Sequence, residues 1–209
     1  MCTRFFTKLI PELVMLVEAA KRSWLWVPMQ QQLDRPMTLL GEIRPTDGAA
    51  VLAPNKDGKC SVYPMIWGFR IDGKPSPVIN ARIETAAAKP LFREPWACRR
   101  CIIPAVNYFE WQHLDTPGGK KTGDKFAIKP AGSALTYLAG LYRFEERQGL
   151  RYPVFTVLTK EPTEQLRTIH DRMPVMLPAS AVNSWLDPAG DPQEISKLAL
   201  TEMEIRKAE

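Results

Sequence analysis

The chain has 209 residues, 45% hydrophobic and 24% charged, with 28 Lys and Arg against 23 Asp and Glu and a formal net charge of +5. That length and balance fit one globular domain with a substantial core and exclude a disordered or fibrous chain. The basic excess is scattered, with Arg99-Arg100 and Lys120-Lys121 the tight pairs, which excludes a tail that binds any polyanion but permits a local positive cleft.

The chain opens Met1-Cys2. Removal of Met1 would put a free α-amine and a thiol on neighbouring carbons of Cys2. The amine titrates near about 8 and a free thiol near roughly 8.5, so both have a reactive fraction at neutral pH. Such an aminothiol condenses with an aldehyde to an imine, which the sulfur closes into a thiazolidine. On position alone, Cys2 is equally a small residue after the start.

Arg4 and Lys8 precede the apolar stretch from Leu9 to Ala20 in the manner of a signal peptide, but Pro11, Glu12 and Glu18 interrupt it and it is too short to span a bilayer. Ile10, Leu13, Val14 and Val17 fall at helical spacing and predict an amphipathic helix on the core of a cytoplasmic protein. Residues 27–46 read as a long connection. Ala49–Leu52 and Cys60–Phe69 read as strands around the turn Asn55-Lys56-Asp57-Gly58, and Ile83–Phe92 as a short helix broken near Pro90. Strands are expected at Arg100–Pro104, Tyr108–Gln112, Lys125–Lys129, Thr136–Phe144 and Tyr152–Leu158, with a hairpin tip at Thr116–Asp124. Pro162–Ile169, Ala179–Leu186 and Glu194–Lys207 read as helices, the last within a C-terminal helical extension at 188–209. Strands in the middle and helices at both ends predict an α+β class, a mixed or antiparallel barrel-like sheet flanked by helices in a single domain, 1–209.

The four cysteines, at 2, 60, 98 and 101, are too few for a secreted disulfide framework in a chain this long. Cys98-Arg-Arg-Cys101 has the spacing of half a zinc site, but a structural site needs four ligands. Cys60 stands alone, and the two histidines, His113 and His170, do not form a second pair. No metal or organic cofactor is expected, and Cys101 reads as a strand residue.

Three segments set functional groups among residues suited to burial: Val78-Ile79-Asn80-Ala81-Arg82-Ile83-Glu84-Thr85, Tyr108-Phe109-Glu110-Trp111 and Ile169-His170-Asp171-Arg172-Met173-Pro174. Each also has a bland reading. Asn80 can cap a helix, Glu110 can face solvent between Phe109 and Trp111, and His170 can sit favourably at a helix C-terminus. Taken together they supply an acid/base pair, an orienting amide and two guanidiniums.

The chain resembles the SOS response-associated peptidase (SRAP) family. The resemblance lies in Met1-Cys2-Thr3-Arg4-Phe5, Trp67-Gly68, Ile79-Asn80-Ala81-Arg82-Ile83-Glu84-Thr85, Arg100-Cys101-Ile102-Ile103-Pro104-Ala105, Phe109-Glu110-Trp111, Ala139-Gly140-Leu141 and Ile169-His170-Asp171-Arg172-Met173-Pro174. The strings occur in family order, between residues 2 and about 178. It implies recognition of abasic sites in single-stranded DNA, with the ring-opened aldehyde trapped as a thiazolidine crosslink that shields the lesion. Cys2 would be the nucleophile and Asn80 would orient its amine. Glu110 and His170 would move protons during imine formation, ring closure and reversal.

By the same resemblance Arg4, Arg82 and Arg172 would clamp phosphates. Trp111, and less favourably Trp67, would stack on bases or sugar, although both also suit a core. The partner would be single-stranded DNA, bound by a monomer at the nucleoid during the SOS response. Self-removal of N-terminal residues, from which the peptidase name comes, and lyase-type chemistry belong to the same implication. The chain departs from the family pattern at Thr3, usually Gly, in lacking tryptophans between Arg70 and Val78, and in showing no recognisable terminal strand after residue 187. Two alternatives stay open: a thiol autopeptidase or amidohydrolase using Cys2, and a non-catalytic single-stranded DNA-binding module.

Overall fold

The computed structural model describes residues 2–32, 37–116 and 119–208. Strand β1 (Arg4–Thr7) leads into helices α1 (Pro11–Lys21) and α2 (Trp26–Gln32), then β2 (Gly41–Ile43), β3 (Gly48–Pro54) and β4 (Cys60–Trp67). β5 (Asn80–Arg82) runs into α3 (Ile83–Ala86) and α4 (Pro90–Cys98), followed by β6 (Arg100–Ala105), β7 (Asn107–Thr116), β8 (Gly119–Pro130), β9 (Thr136–Arg147) and β10 (Leu150–Lys160). The last part holds α5 (Glu164–Arg167), β11 (Met173–Pro174), β12 (Met176–Leu177), α6 (Val182–Leu186), α7 (Pro192–Ser196) and β13 (Met203–Lys207).

Five strands close into a barrel. β10 pairs parallel with β4, β4 antiparallel with β3, β3 with β6, β6 with β9, and β9 antiparallel with β10 again. Short β5 continues the parallel side, with Asn80 opposite Val157 on β10. An antiparallel sheet in the order β13-β8-β7-β1-β2 accompanies the barrel.

β3 shows how a barrel strand comes to lack a polar face. Its run Ala49-Ala50-Val51-Leu52-Ala53 sends Ala49, Val51 and Ala53 to a core shared with Phe5, Tyr108 and Ile128 of the second sheet. Ala50 and Leu52 join a second core with Val17 of α1, Met29 of α2 and Trp185 of α6. A strand buried on both faces reads as a continuous apolar run. Gly140 serves the same closure: a Cβ there would lie 2.8 Å from the Thr156 carbonyl on neighbouring β10.

Several sequence expectations change. The connection at 27–46 contains most of α2, anchored by fully buried Met29, and all of β2. The expected tip at 116–124 is largely ladder, since β7 and β8 pair out to Thr116 opposite Gly119; residues 117–118 lie outside the described residues. The helix expected at Glu194–Lys207, and with it the helical extension, gives way to short α7 and to β13, whose Ile205 pairs with Ile128 of β8. The helix expected across Ile83–Phe92 is split in two, with Pro90 opening α4 where its missing N–H costs nothing.

Candidate active site

β1 lies antiparallel between β2 and β7, with Arg4 opposite Phe109 and Phe5 opposite Tyr108. Continuing that register carries the residues ahead of Arg4 toward Glu110. Cys2 is fully buried, its thiol 3.8 Å from the Arg4 carbonyl. Burial pushes that thiol far above the ordinary range, and the Glu110 charge adds to the effect. Asn80 donates from Nδ2 to the Cys2 carbonyl at 2.8 Å. Its Oδ1 is buried without a hydrogen-bond partner among the described residues.

Strand alternation on β7 runs opposite to the bland reading. Tyr108 and Glu110 point inward, while Phe109 and Trp111 are half-buried on the other face. Burial lifts the Glu110 carboxyl from 4.5 to about 7, with the Asp171 charge a smaller contributor in the same direction. His170, also buried, holds Nε2 3.9 Å from Glu110 Oε1, one small adjustment short of a hydrogen bond. A β-bulge shifts the β7–β8 register between Trp111 and His113. It coincides with a bond from the His113 amide to the Ile169 carbonyl at 2.9 Å, and the two imidazole rings pack 4.2 Å apart. Bulges at such positions re-aim side chains.

Above this group opens a cavity of about 610 Å³, lined by Arg4, Arg82, Glu110, Trp111, His170 and Arg172 together with Thr3, His113, Thr122 and Asp171. The structure therefore brings Cys2, Asn80, Glu110 and His170 together, with three guanidiniums around the opening. The arginines differ in freedom. Arg4 pairs with Glu42 at 2.5 Å and lies 4.8 Å over the Trp111 ring. Burial opposes ionisation of Glu42, yet hydrogen bonds from Lys125 and Arg4 hold its carboxyl below the usual range. Arg172 donates to Glu84 at 2.8 Å and to the Thr159 carbonyl at 2.7 Å. Arg82 is exposed and has no ion pair among the described residues.

Trp67 lies elsewhere. It has no exposed surface, stacks on Phe155 with centroids 6.0 Å apart, and donates Nε1–H to the Ile79 carbonyl at 2.9 Å. It offers no ring face to a base, so the core reading of this residue describes its place. Cys98 and Cys101 are both free thiols, the first exposed and the second buried in β6. Met1 lies outside the described residues.

Sequence reasoning overlooked three groups. Tyr108 is buried beside Cys2 and Glu110, its phenol raised by burial and then by their charges. Its position two residues from Glu110 on one strand was the available signal. His113 and Asp171 line the cavity. Asp171 adjoins His170 in sequence, whereas the bulge that places His113 leaves no pattern to read.

A buried Cys at the second residue, held by an amide and facing a carboxyl and an imidazole beneath a basic cavity, defines a buried-cysteine site on a small closed barrel. The chain belongs to the SRAP family: the model of the family described as SOS response associated peptidase (SRAP) matches residues 1–208. Among curated relatives, the abasic site processing protein YoaM of Bacillus subtilis is 46% identical over 114 residues, covering 53% of this chain and 48% of that protein. The abasic site processing protein YedK of Escherichia coli is 31% identical over 154 residues, covering 71% and 65%. The chain thus spans about half the length of the first and about two thirds of the second. A crystal structure from Bacteroides thetaiotaomicron shares the fold with a TM-score of 0.73 at 21% identity, covering 100% of this chain and 92% of that one. One from Bordetella bronchiseptica does so at 0.71 and 19%, covering 100% of both. Among the described residues no helix is long and apolar enough to cross a membrane.

Proposed function

We propose that this protein processes abasic sites in single-stranded DNA by forming a thiazolidine crosslink through Cys2 once Met1 is gone. The convergence of Cys2, Asn80, Glu110 and His170 under the basic cavity carries the reading. In the first step the Cys2 amine adds to the aldehyde carbon of the opened sugar, and the hydroxyl leaves as water after protonation by a site acid. In the second, the sulfur adds to the carbon of the resulting iminium, the thiol proton leaves to a site base, and the nitrogen keeps the one amine proton that did not pass to the oxygen. No electrons are exchanged with an outside reagent.

Glu110, with its carboxyl near 7, is suited to give and take these protons at neutral pH. Asn80 holds the Cys2 carbonyl and leaves Oδ1 for the amine. Arg82 would receive a phosphate directly, Arg4 and Arg172 would do so by exchanging their carboxylate partners, and Trp111 would take a base, with a monomer acting at the nucleoid. A thiol held in its protonated form is poorly prepared to attack an amide as thiolate, so this order, amine first, ranks above autopeptidase turnover.

Untagged protein whose intact mass shows loss of Met1 is mixed with a single-stranded oligonucleotide carrying one abasic site and run on a denaturing gel. A shifted band is expected, and Cys2→Ala abolishes it while keeping most non-covalent affinity. An undiminished band from Cys2→Ala overturns the proposal. Peptide turnover independent of DNA would move the function to the peptidase reading, and salt-sensitive binding without lesion preference to the binding module.

A further inference from the structure

Two groups compete for one nitrogen of His170. The Arg172 backbone N–H points at Nδ1 from 3.0 Å, a hydrogen bond that requires a lone pair there. Asp171 Oδ1 lies 2.7 Å from the same atom, and a carboxylate is satisfied there only by an Nδ1 proton. Nδ1 cannot offer a lone pair and a proton at once, so the two partners select different protonation states. Asp171 is 67% exposed and can swing away at little cost; the Arg172 amide is fixed in the backbone.

Each state has a consequence at the opposite nitrogen, which faces Glu110. With the amide bonded, the neutral ring carries its proton on Nε2 and can neither accept another there nor release that one without becoming an imidazolate. With Asp171 bonded, Nδ1–H stays fixed and the ring cycles at Nε2 between imidazolium and neutral imidazole, donating and then accepting. Among the described residues, the other charged or titratable groups around the ring include Glu110 and His113 from β7, Arg4 and Arg82 around the cavity, and Arg172, whose guanidinium is occupied by Glu84 and Thr159.

We propose that Asp171 is a positioning residue that takes His170 out of an idle tautomer held by the Arg172 amide and makes it a working acid and base. The assignment rests on the crosslinking function proposed above. It accounts for how one imidazole protonates the departing hydroxyl and then removes the thiol proton: the imidazolium loses Nε2–H in the first step and regains it in the second, while Nδ1–H remains on Asp171.

The test uses the Met1-free protein, Asp171→Ala and Asp171→Asn, with circular dichroism confirming their fold. Nitrogen-15 NMR of the imidazoles, without DNA, is expected to show Asp171→Ala held in the Nε2–H tautomer and the native protein enriched in Nδ1–H. Adduct formation on abasic oligonucleotide should slow at least 10-fold in Asp171→Ala and less in Asp171→Asn, whose Oδ1 still accepts Nδ1–H, with a changed rate-against-pH profile. Affinity for lesion-free oligonucleotide should hold or rise, because an anion has left a basic cavity. Identical tautomer populations in native and Ala proteins, or a native adduct rate and pH profile in Asp171→Ala, overturn the assignment. If the native protein forms no adduct, the function fails while the tautomer measurement still decides the role of Asp171.

Discussion

Glu110 sits in a β-strand flanked by aromatics, and burial rather than a charged neighbour dominates its acidity. A carboxyl at 4.5 in the unfolded chain and about 7 in the folded one favours folding while protonated. That contribution is complete below about 4.5 and disappears as pH rises through 7, an effect on the order of 3 kcal/mol. Glu110→Gln removes the titration but keeps the shape. Urea unfolding of both proteins at pH 5 and pH 8 should show the variant gaining about 2.5 kcal/mol on the native protein at the higher pH. Glu42 and Glu84, whose carboxyls shift the other way, are common to both and cancel. Equal pH dependence would refute the burial account. That the carboxylate and the imidazole would lie near one another was legible from residue type and company. The inward orientation of Glu110 was not, because an aromatic–acid–aromatic alternation fits either face of a strand.

Arg100 works at the scale of elements. The sequence presents it as half of a basic pair, yet it is 2% exposed and donates to the carbonyls of Trp96 and Ala97 in α4, Trp185 in α6, and Asp187 and Gly190 beyond it. One planar guanidinium thus satisfies the C-terminal carbonyls of two helices and holds them to β6. Lysine has the charge but three donors on one nitrogen, leaving buried carbonyls unpaired. Arg100→Lys should cost about 3 kcal/mol and lower Tm by roughly 10 °C in a thermal melt. A shift under 2 °C, with stated precision of about 1 °C, would show that solvent substitutes for the lost donors. Charge and neighbours do not separate this arginine from Arg99; only the family string that Arg100 opens sets it apart. A similar limit hid β13: Glu202, Glu204 and Lys207 favour helix locally, and pairing with β8 overrides them. The Gly68 and Gly140 strings, in contrast, were legible because close approach fixes them: a Cβ on Gly68, at φ +119°, would meet Pro77 at 2.8 Å.

For the whole molecule, a net charge of +5 overstates what the cavity offers a phosphate chain. Arg4 and Arg172 are committed to Glu42 and Glu84, and Arg82 stands out. Arg82→Ala should therefore weaken lesion-free single-strand binding and reduce the slope of log K against log salt by about 0.7, one phosphate contact, in anisotropy titrations between about 50 and 200 mM salt. An unchanged slope would place the phosphates elsewhere. The site also draws on residues 2, 80, 110 and 170, so its contacts join the first strand of the chain to segments far along it. A ribosome releases β1 early, whereas its partner β7 follows only after β2 to β6 and the His170 segment later still. Long-range closures of this kind are slow steps in folding. The cysteine consequently draws its buried surroundings from segments made long after it, and an early-made thiol waits on late-made neighbours.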